Sequence, residues 1–271
     1  PRWSPDDRWL AFVSGRQEGR GGQVWLLDRR GGEAQRITTI RGGVSDVVWS
    51  PDGKRLALVL DEETDSLARR DSTERKTPAP IVIDRYGFKR DVEGYLGTKR
   101  SRLALVDVAT RKVDTLTRGV EEDDAPSWSP DGRRIAFLRS TLPEPKRPGG
   151  ADLYVIDARP GATPQRLTND PGLQSGRPAW SPDGRTIAVL RGADAAYSAY
   201  SQAVLELVPA DGAGAPRLVA ESLDRPVSTP TFAADGKSVY VTVTDDRRQH
   251  LARIRVADGV VERVVAGTRV V

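Results

Sequence analysis

The sequence predicts an all-β fold of four-stranded antiparallel blades, a β-propeller, and three observations lead to that prediction. A Trp-Ser-Pro-Asp-Gly motif recurs along the chain, a short run of β-forming residues follows every copy, and a second such run follows most of them. The repeat period is about 50 residues, which is the length of a blade with four strands. The whole chain, residues 1–271, is therefore expected to be one propeller domain.

The recurring motif, here called the anchor, begins at Trp3, Trp49, Trp128, Trp180 and, in a weaker form, Phe232. Successive anchors are 46, 79, 52 and 52 residues apart. Ser-Pro-Asp-Gly suits a type I turn, because serine favours the first position, proline presets φ to about −65° at the second, and glycine closes the turn. Each anchor is therefore predicted to form a hairpin tip, and its aspartate is assigned to the turn rather than to a metal site.

The runs between the anchors supply the strands of each blade. They show little alternation of apolar and polar residues, as expected of strands that are buried on both faces. The second strands are predicted at 9–13, 56–60, 135–138, 187–190 and 239–243, the third at 24–28, 103–107, 153–157 and 204–208, and short fourth strands at 35–38 and 165–168. The anchor tryptophans are interpreted mainly as wedges between neighbouring blades, with ligand stacking as the alternative.

The second period is longer than the others, which indicates an insertion within about 61–100. Its first part, 61–76, is rich in charged residues, whereas 81–97 mixes β-forming residues with Arg, Tyr and Gly. Long structured loops are often functional. The alternative, a hairpin that only packs on its own blade, stays open. For Tyr197 and Tyr200 we favour packing over ligand binding.

The composition excludes several classes of function. The 42 basic and 38 acidic residues are interspersed, which does not suit a nucleic-acid-binding surface. The absence of cysteine excludes disulfides, thiol catalysis and cysteine-ligated metals. No apolar run approaches the length of a membrane span, about 18 residues, so we expect a soluble, cytoplasmic protein with no membrane partner.

No catalytic residue, metal site or cofactor is expected in this chain. His250 is the only histidine, and no Gly-x-Ser-x-Gly nucleophile motif or Gly-x-x-x-x-Gly-Lys phosphate loop occurs. The acidic run 121–124 is interpreted as exposed loop charge rather than as paired carboxylates.

The anchors, together with the segment 85–97 and the strand 102–108 that follows it, resemble the propeller domain of prolyl-oligopeptidase-family serine peptidases, closest to the acylaminoacyl-peptidase branch. The anchors are also shared with TolB-like propellers. The resemblance implies a larger ring than five blades, of which this chain is a part. A closed five-bladed ring is the disfavoured alternative.

The resemblance further implies an α/β-hydrolase catalytic domain in the same parent chain and a short peptide as substrate, with the propeller restricting entry. Arg85, Lys89 and Arg90 are the candidates for contacts with a carboxylate or backbone carbonyls, since a guanidinium can bind a carboxylate with two hydrogen bonds. Tyr86 and Tyr95 are the candidates for stacking. The alternatives are a TolB-like protein-interaction module and, least favoured, a metal-dependent lyase or lactonase; a homo-oligomer remains compatible with the sequence.

Overall fold

The computed structural model describes residues 1–16, 21–63, 89–90, 94–95, 99–119, 121–140, 151–169, 172–194 and 202–265. These residues form 22 strands and one 3-10 turn at Glu221–Leu223, and no α-helix occurs among them. No helix in the described part of the chain is long and apolar enough to cross a membrane. The all-β class predicted from the repeat is confirmed.

Twenty of the strands form five blades, and within each blade four strands follow one another in chain order as an antiparallel sheet. The third and fourth blades are joined in one sheet, because Ala151 pairs with Gln174. The first blade contains β1 (Arg2–Trp3), β2 (Trp9–Ser14), β3 (Gln23–Asp28) and β4 (Gln35–Arg36). The second contains β5 (Val44–Trp49), β6 (Arg55–Glu63), β9 (Lys99–Asp107) and β10 (Val113–Thr115), and a separate pair, β7 (Lys89–Arg90) and β8 (Gly94–Tyr95), lies between β6 and β9 in the chain.

The remaining three blades follow the same order. The third contains β11 (Glu122–Trp128), β12 (Arg134–Ser140), β13 (Ala151–Asp157) and β14 (Gln165–Arg166). The fourth contains β15 (Gly172–Trp180), β16 (Thr186–Asp194), β17 (Val204–Pro209) and β18 (Arg217–Val219). The fifth contains β19 (Val227–Phe232), β20 (Ser238–Asp245), β21 (Arg248–Arg255) and β22 (Val261–Arg263).

The chain divides into two compact units, residues 1–124 with 140–149 and residues 125–139 with 150–271. In each unit the apolar side chains of one blade pack against those of the next. The core of the first unit includes Ala11, Val24, Leu26, Leu56, Leu58 and Leu60. One core of the second includes Ala188, Leu190, Leu205, Val239, Val241 and Ile254. This burial of both strand faces explains the weak alternation of the strand sequences.

The anchors form the predicted hairpin tips. In the second anchor the Gly53 N–H donates to Ser50 O at 2.9 Å, and the Ser50 N–H donates to Arg55 O at 2.9 Å. Gly53 has a φ of 68°, which glycine adopts without strain. In the first anchor Asp7 takes this position at a φ of 55°. The left-handed residue thus closes the turn even where glycine is replaced.

The anchor tryptophans act as wedges, as predicted, where a preceding blade lies in the same unit. Trp49 is 7% exposed, and its indole N–H donates to Arg2 O on β1 at 3.0 Å. In the second unit the Trp180 N–H donates to Ser127 O on β11 at 3.0 Å. Trp3 is 54% exposed.

The first strands of several blades are interrupted by β-bulges. The register shifts between Val44 and Asp46 in β5 and between Ser228 and Thr231 in β19. Thr229 has a φ of 49°, which is unusual for a β-branched residue. A bulge bends its strand and increases the local twist.

The acidic run 121–124 corrects one sequence expectation. Glu122 and Asp123 begin β11, and Asp123 is only 1% exposed, so the run is not a loop of exposed charge. The sequence pattern missed this because β11 begins with charged residues before its apolar part. Among the described residues, no three His, Cys, Asp or Glu side chains are grouped as metal ligands.

Candidate functional site

The insertion emerges between the second and third strands of the second blade. The β6–β9 ladder pairs Arg55 with Asp107 at one end and Glu63 with Lys99 at the other, so the inserted segment is 64–98 and lies within the predicted span. In the fifth blade the second and third strands are joined without an insertion, because Asp245 pairs with Arg248 and only two residues close the hairpin. The paired residues 60–63 of β6 and 99–102 of β9 are called the stem.

Three of the five predicted site residues lie in one short hairpin within the insertion. Lys89 pairs with Tyr95, and Arg90 pairs with Gly94 across β7 and β8. Lys89 is exposed. Arg85 and Tyr86 lie outside the described residues. A β-hairpin here agrees with the β-forming character of the 81–97 segment, while the binding roles of these residues stay predictions.

The stem is attached to the next segment of the chain by Arg102, which is only 2% exposed. Its guanidinium donates to the backbone carbonyls of Gly119 and Glu121 and, at 2.9 Å, to Ser101 O. Glu62, at the end of β6, lies 3.8 Å from the guanidinium. Arg102 therefore links the stem to the residues that lead into β11.

Electrostatics at the stem combine one buried cation with nearby acidic groups. Burial lowers the pKa of Arg102, while the negative charges of Asp123, Glu62 and Glu121 act in the opposite direction. A second ion pair joins Arg100 of β9 to Glu122 of β11 at 3.0 Å. Both links connect β9 to the segment 119–123.

Sequence reasoning missed Arg102, although one signal could have indicated it. Arg102 stands directly before the apolar part of its third strand, and the residue at that place is also polar and buried in the first blade, Gln23, and in the third, Asp152. A polar residue at the same place in three repeats of an otherwise apolar strand predicts a shared structural contact.

The backbone next to the stem is packed closely through glycine. Gly42 has a φ of +91°, and a Cβ at this position would collide with the carbonyl oxygen of Asp61 in β6. The Asp61 N–H donates to Gly43 O at 3.1 Å, and the Val44 N–H donates to Gly22 O at 2.7 Å. The first blade, the segment 37–43 that connects β4 to β5, and β6 are thus in backbone contact.

The described residues of the insertion include one group that is suited to binding. Lys89 is exposed, and its ammonium group can donate hydrogen bonds to carboxylates and carbonyls. Long connections placed on a rigid sheet are the usual location of ligand-binding residues.

Comparison with known proteins places the fold among the propellers. No protein-family model matches the chain. The uncharacterized peptidase YuxL of Bacillus subtilis is 34% identical over 157 residues, which cover 58% of this chain and 24% of that protein. The Tol-Pal system protein TolB of Francisella tularensis is 25% identical over 233 residues, which cover 78% of this chain and 48% of TolB. The chain thus spans about a quarter and about half of the length of these two relatives.

Solved structures agree on the fold. The acylaminoacyl peptidase of Pyrococcus horikoshii superposes with a TM-score of 0.70 at 17% identity, over 98% of this chain and 38% of the peptidase. The β-propeller domain of the Trilobed protease from Pyrococcus furiosus superposes with a TM-score of 0.62 at 14% identity, over 98% of this chain and 70% of that domain. The chain is a β-propeller domain similar to the propeller domains of prolyl-oligopeptidase-family peptidases.

Proposed function

We propose that this chain is the gating and substrate-selecting propeller domain of a cytoplasmic serine peptidase that hydrolyses short peptides. The catalytic residues then belong to an α/β-hydrolase domain of the same parent protein, outside this chain. The observation that carries the proposal is the β7–β8 hairpin with Lys89 and Arg90, inserted into a propeller that is similar to peptidase propellers.

In this proposal the insertion holds a terminus or the backbone of the peptide. Arg85, Lys89 and Arg90 donate to carboxylate or carbonyl oxygens, and Tyr86 and Tyr95 stack on substrate side chains. Such contacts favour short or unfolded peptides, because an extended backbone exposes carbonyl groups that a folded protein has already paired.

The test uses the full-length parent protein with two kinds of change. Arg85→Ala and Arg90→Ala should raise KM or lower kcat for short peptides at least several-fold while leaving the melting temperature nearly unchanged. Replacing 64–98 by Asn-Gly should do the same, because Glu63 and Lys99 already pair and a two-residue turn can close them. Arg159→Ala, at an exposed arginine of the third blade, is the matched control.

The result that contradicts the proposal is equally definite. Unaltered kinetics with a lowered melting temperature would show that the insertion only packs on its blade. A reading frame that contains no hydrolase domain beside the propeller would also overturn the proposal.

A TolB-like interaction module is the second candidate, and the match to TolB over 78% of this chain favours it. In that case the propeller binds another protein and takes part in no peptide hydrolysis. A parent gene that encodes an export signal and no hydrolase domain would support this candidate over the first.

A further inference from the structure

In the first three blades a buried polar residue lies in the third strand, directly before its apolar part, and the backbone contacts around it are the same. These residues are Gln23, Arg102 and Asp152. The residue after it donates its N–H to a threonine hydroxyl beyond the fourth strand, at 2.9 Å in each case. These pairs are Val24 with Thr38, Leu103 with Thr117, and Leu153 with Thr168. The repeated position therefore faces the segment that leaves its blade.

In the first blade the polar side chain, Gln23, is neutral, and in the third blade, Asp152, it is anionic. Both bind residues that lie in or just beyond the fourth strand of their own blade. Gln23 donates to Ile40 O at 2.8 Å and accepts from the Ile40 N–H at 2.9 Å. Asp152 accepts from the guanidinium of Arg166, in β14, at 2.6 Å and from the hydroxyl of Thr168 at 3.3 Å. These contacts hold each blade's own exit segment against its third strand.

The second blade has a cation at this position instead. The longer side chain of Arg102 reaches the carbonyls of both Gly119 and Glu121, and it also faces Glu62 on the other strand of the stem. A buried guanidinium is costly unless its hydrogen bonds are satisfied, and this one is satisfied mainly by backbone carbonyls. In the second blade, which carries the insertion, Arg102 of β9 therefore contacts both β6 and the segment that leaves the blade after β10.

We propose that Arg102 is a positioning residue that fixes the stem of the insertion to the segment 119–123 and thereby orients the β7–β8 hairpin. Its effect on peptide binding rests on the proposed function, whereas its effect on the stem does not. The ion pair between Arg100 and Glu122 is a second, more exposed link between the stem and the segment 119–123.

The experiment measures amide hydrogen exchange in the full-length protein carrying Arg102→Met, Arg102→Lys or Glu62→Gln. Arg102→Met should speed exchange at least several-fold in 89–90, 94–95 and the stem, and leave β20 and β21 of the fifth blade unchanged. Arg102→Lys should have a smaller effect, because an ammonium keeps the charge but lacks the planar fork. Glu62→Gln should have the smallest, since its carboxylate is 3.8 Å away and its side chain is 53% exposed.

Exchange that rises equally in the fifth blade, or that does not change at the stem, would overturn the positioning role. If Arg102→Met fails to fold, the Arg102→Lys protein decides, because unchanged exchange in its stem contradicts the proposal. The KM for a short peptide is measured in parallel and should rise while kcat stays constant. Faster stem exchange without a change in KM would leave the positioning role intact and count against the proposed function.

Discussion

The hydroxyl of Ser50 donates a hydrogen bond of 2.6 Å to the carboxylate of Asp52 in the second anchor. The same oxygen accepts from the N–H of Arg55 at 2.9 Å, and the carboxylate of Asp52 accepts from the N–H of Lys54 at 3.1 Å. Ser50 is fully buried. One hydroxyl thus joins the two sides of the hairpin tip, and Ser129 and Ser181 make the same contacts.

Removing this hydroxyl should destabilise the protein by a measurable amount. We expect Ser129→Ala to cost about 1 to 3 kcal/mol, because the N–H of Arg134 loses its side-chain acceptor in a half-buried place. Urea denaturation provides the measurement. The fifth anchor offers the reverse change, since it has Ala233 where the others have serine. Ala233→Ser should raise stability, and an unchanged midpoint in both variants would contradict the assigned role of the hydroxyl.

The anchor aspartates predict a loss of stability in acid. Hydrogen bonds from Ser129 and Ser181 lower the pKa of Asp131 and Asp183, respectively, below the ordinary value. A group with a lowered folded pKa contributes stability above its unfolded pKa and loses it as the pH falls through the folded pKa. The free energy of unfolding should therefore decline below about pH 4. The decline should be shallower in the Ser129→Ala and Ser181→Ala proteins, and an equal slope would contradict this origin.

The two anchor tryptophans of the first unit should respond differently to the same change. Trp49→Phe removes an indole N–H that is bonded to Arg2 O at 3.0 Å, and the loss should cost about 1 kcal/mol or more. Trp3→Phe should cost much less, because this side chain is 54% exposed. Thermal unfolding compares the variants, and equal losses would show that the wedge contact is not the cause.

The glycine contact beside the stem can be tested by a matched pair. Gly42→Ala combines a strained φ of +91° with a collision against Asp61 O, and we expect a loss of about 3 kcal/mol or more. Gly31 has a similar φ of +112°, but nothing lies within 4 Å of its added Cβ. Gly31→Ala should therefore cost only the backbone strain, about 1 kcal/mol. Similar losses for both would place the whole effect in the backbone conformation.

The anchors could be predicted from sequence because all the groups that form them lie within a few residues. Serine, proline, aspartate and the left-handed residue each have a local preference, and their spacing repeats through the chain. The strands between them follow because both of their faces are buried. The hairpin at Lys89 and Tyr95 was likewise indicated by local β-forming residues, although its ligand contacts remain predictions.

Arg102 and Asp123 could not be recognised in the same way. The partners of Arg102 include the carbonyls of Gly119 and Glu121, and a backbone carbonyl leaves no mark in a sequence. Asp123 is the second residue of β11 and is buried, whereas the run 121–124 considered alone has the composition of a surface loop. The contacts of Arg102 join residues that are 17 and 19 positions apart in the chain.

The bulge in β19 affects whether this strand can pair with a strand of another molecule. This strand lies at the edge of its sheet, where unpaired amide and carbonyl groups could add a strand from another molecule. The left-handed Thr229 bends the edge, and Pro230 beside it has no N–H to offer. A straight incoming strand therefore finds no continuous row of hydrogen-bonding partners along β19.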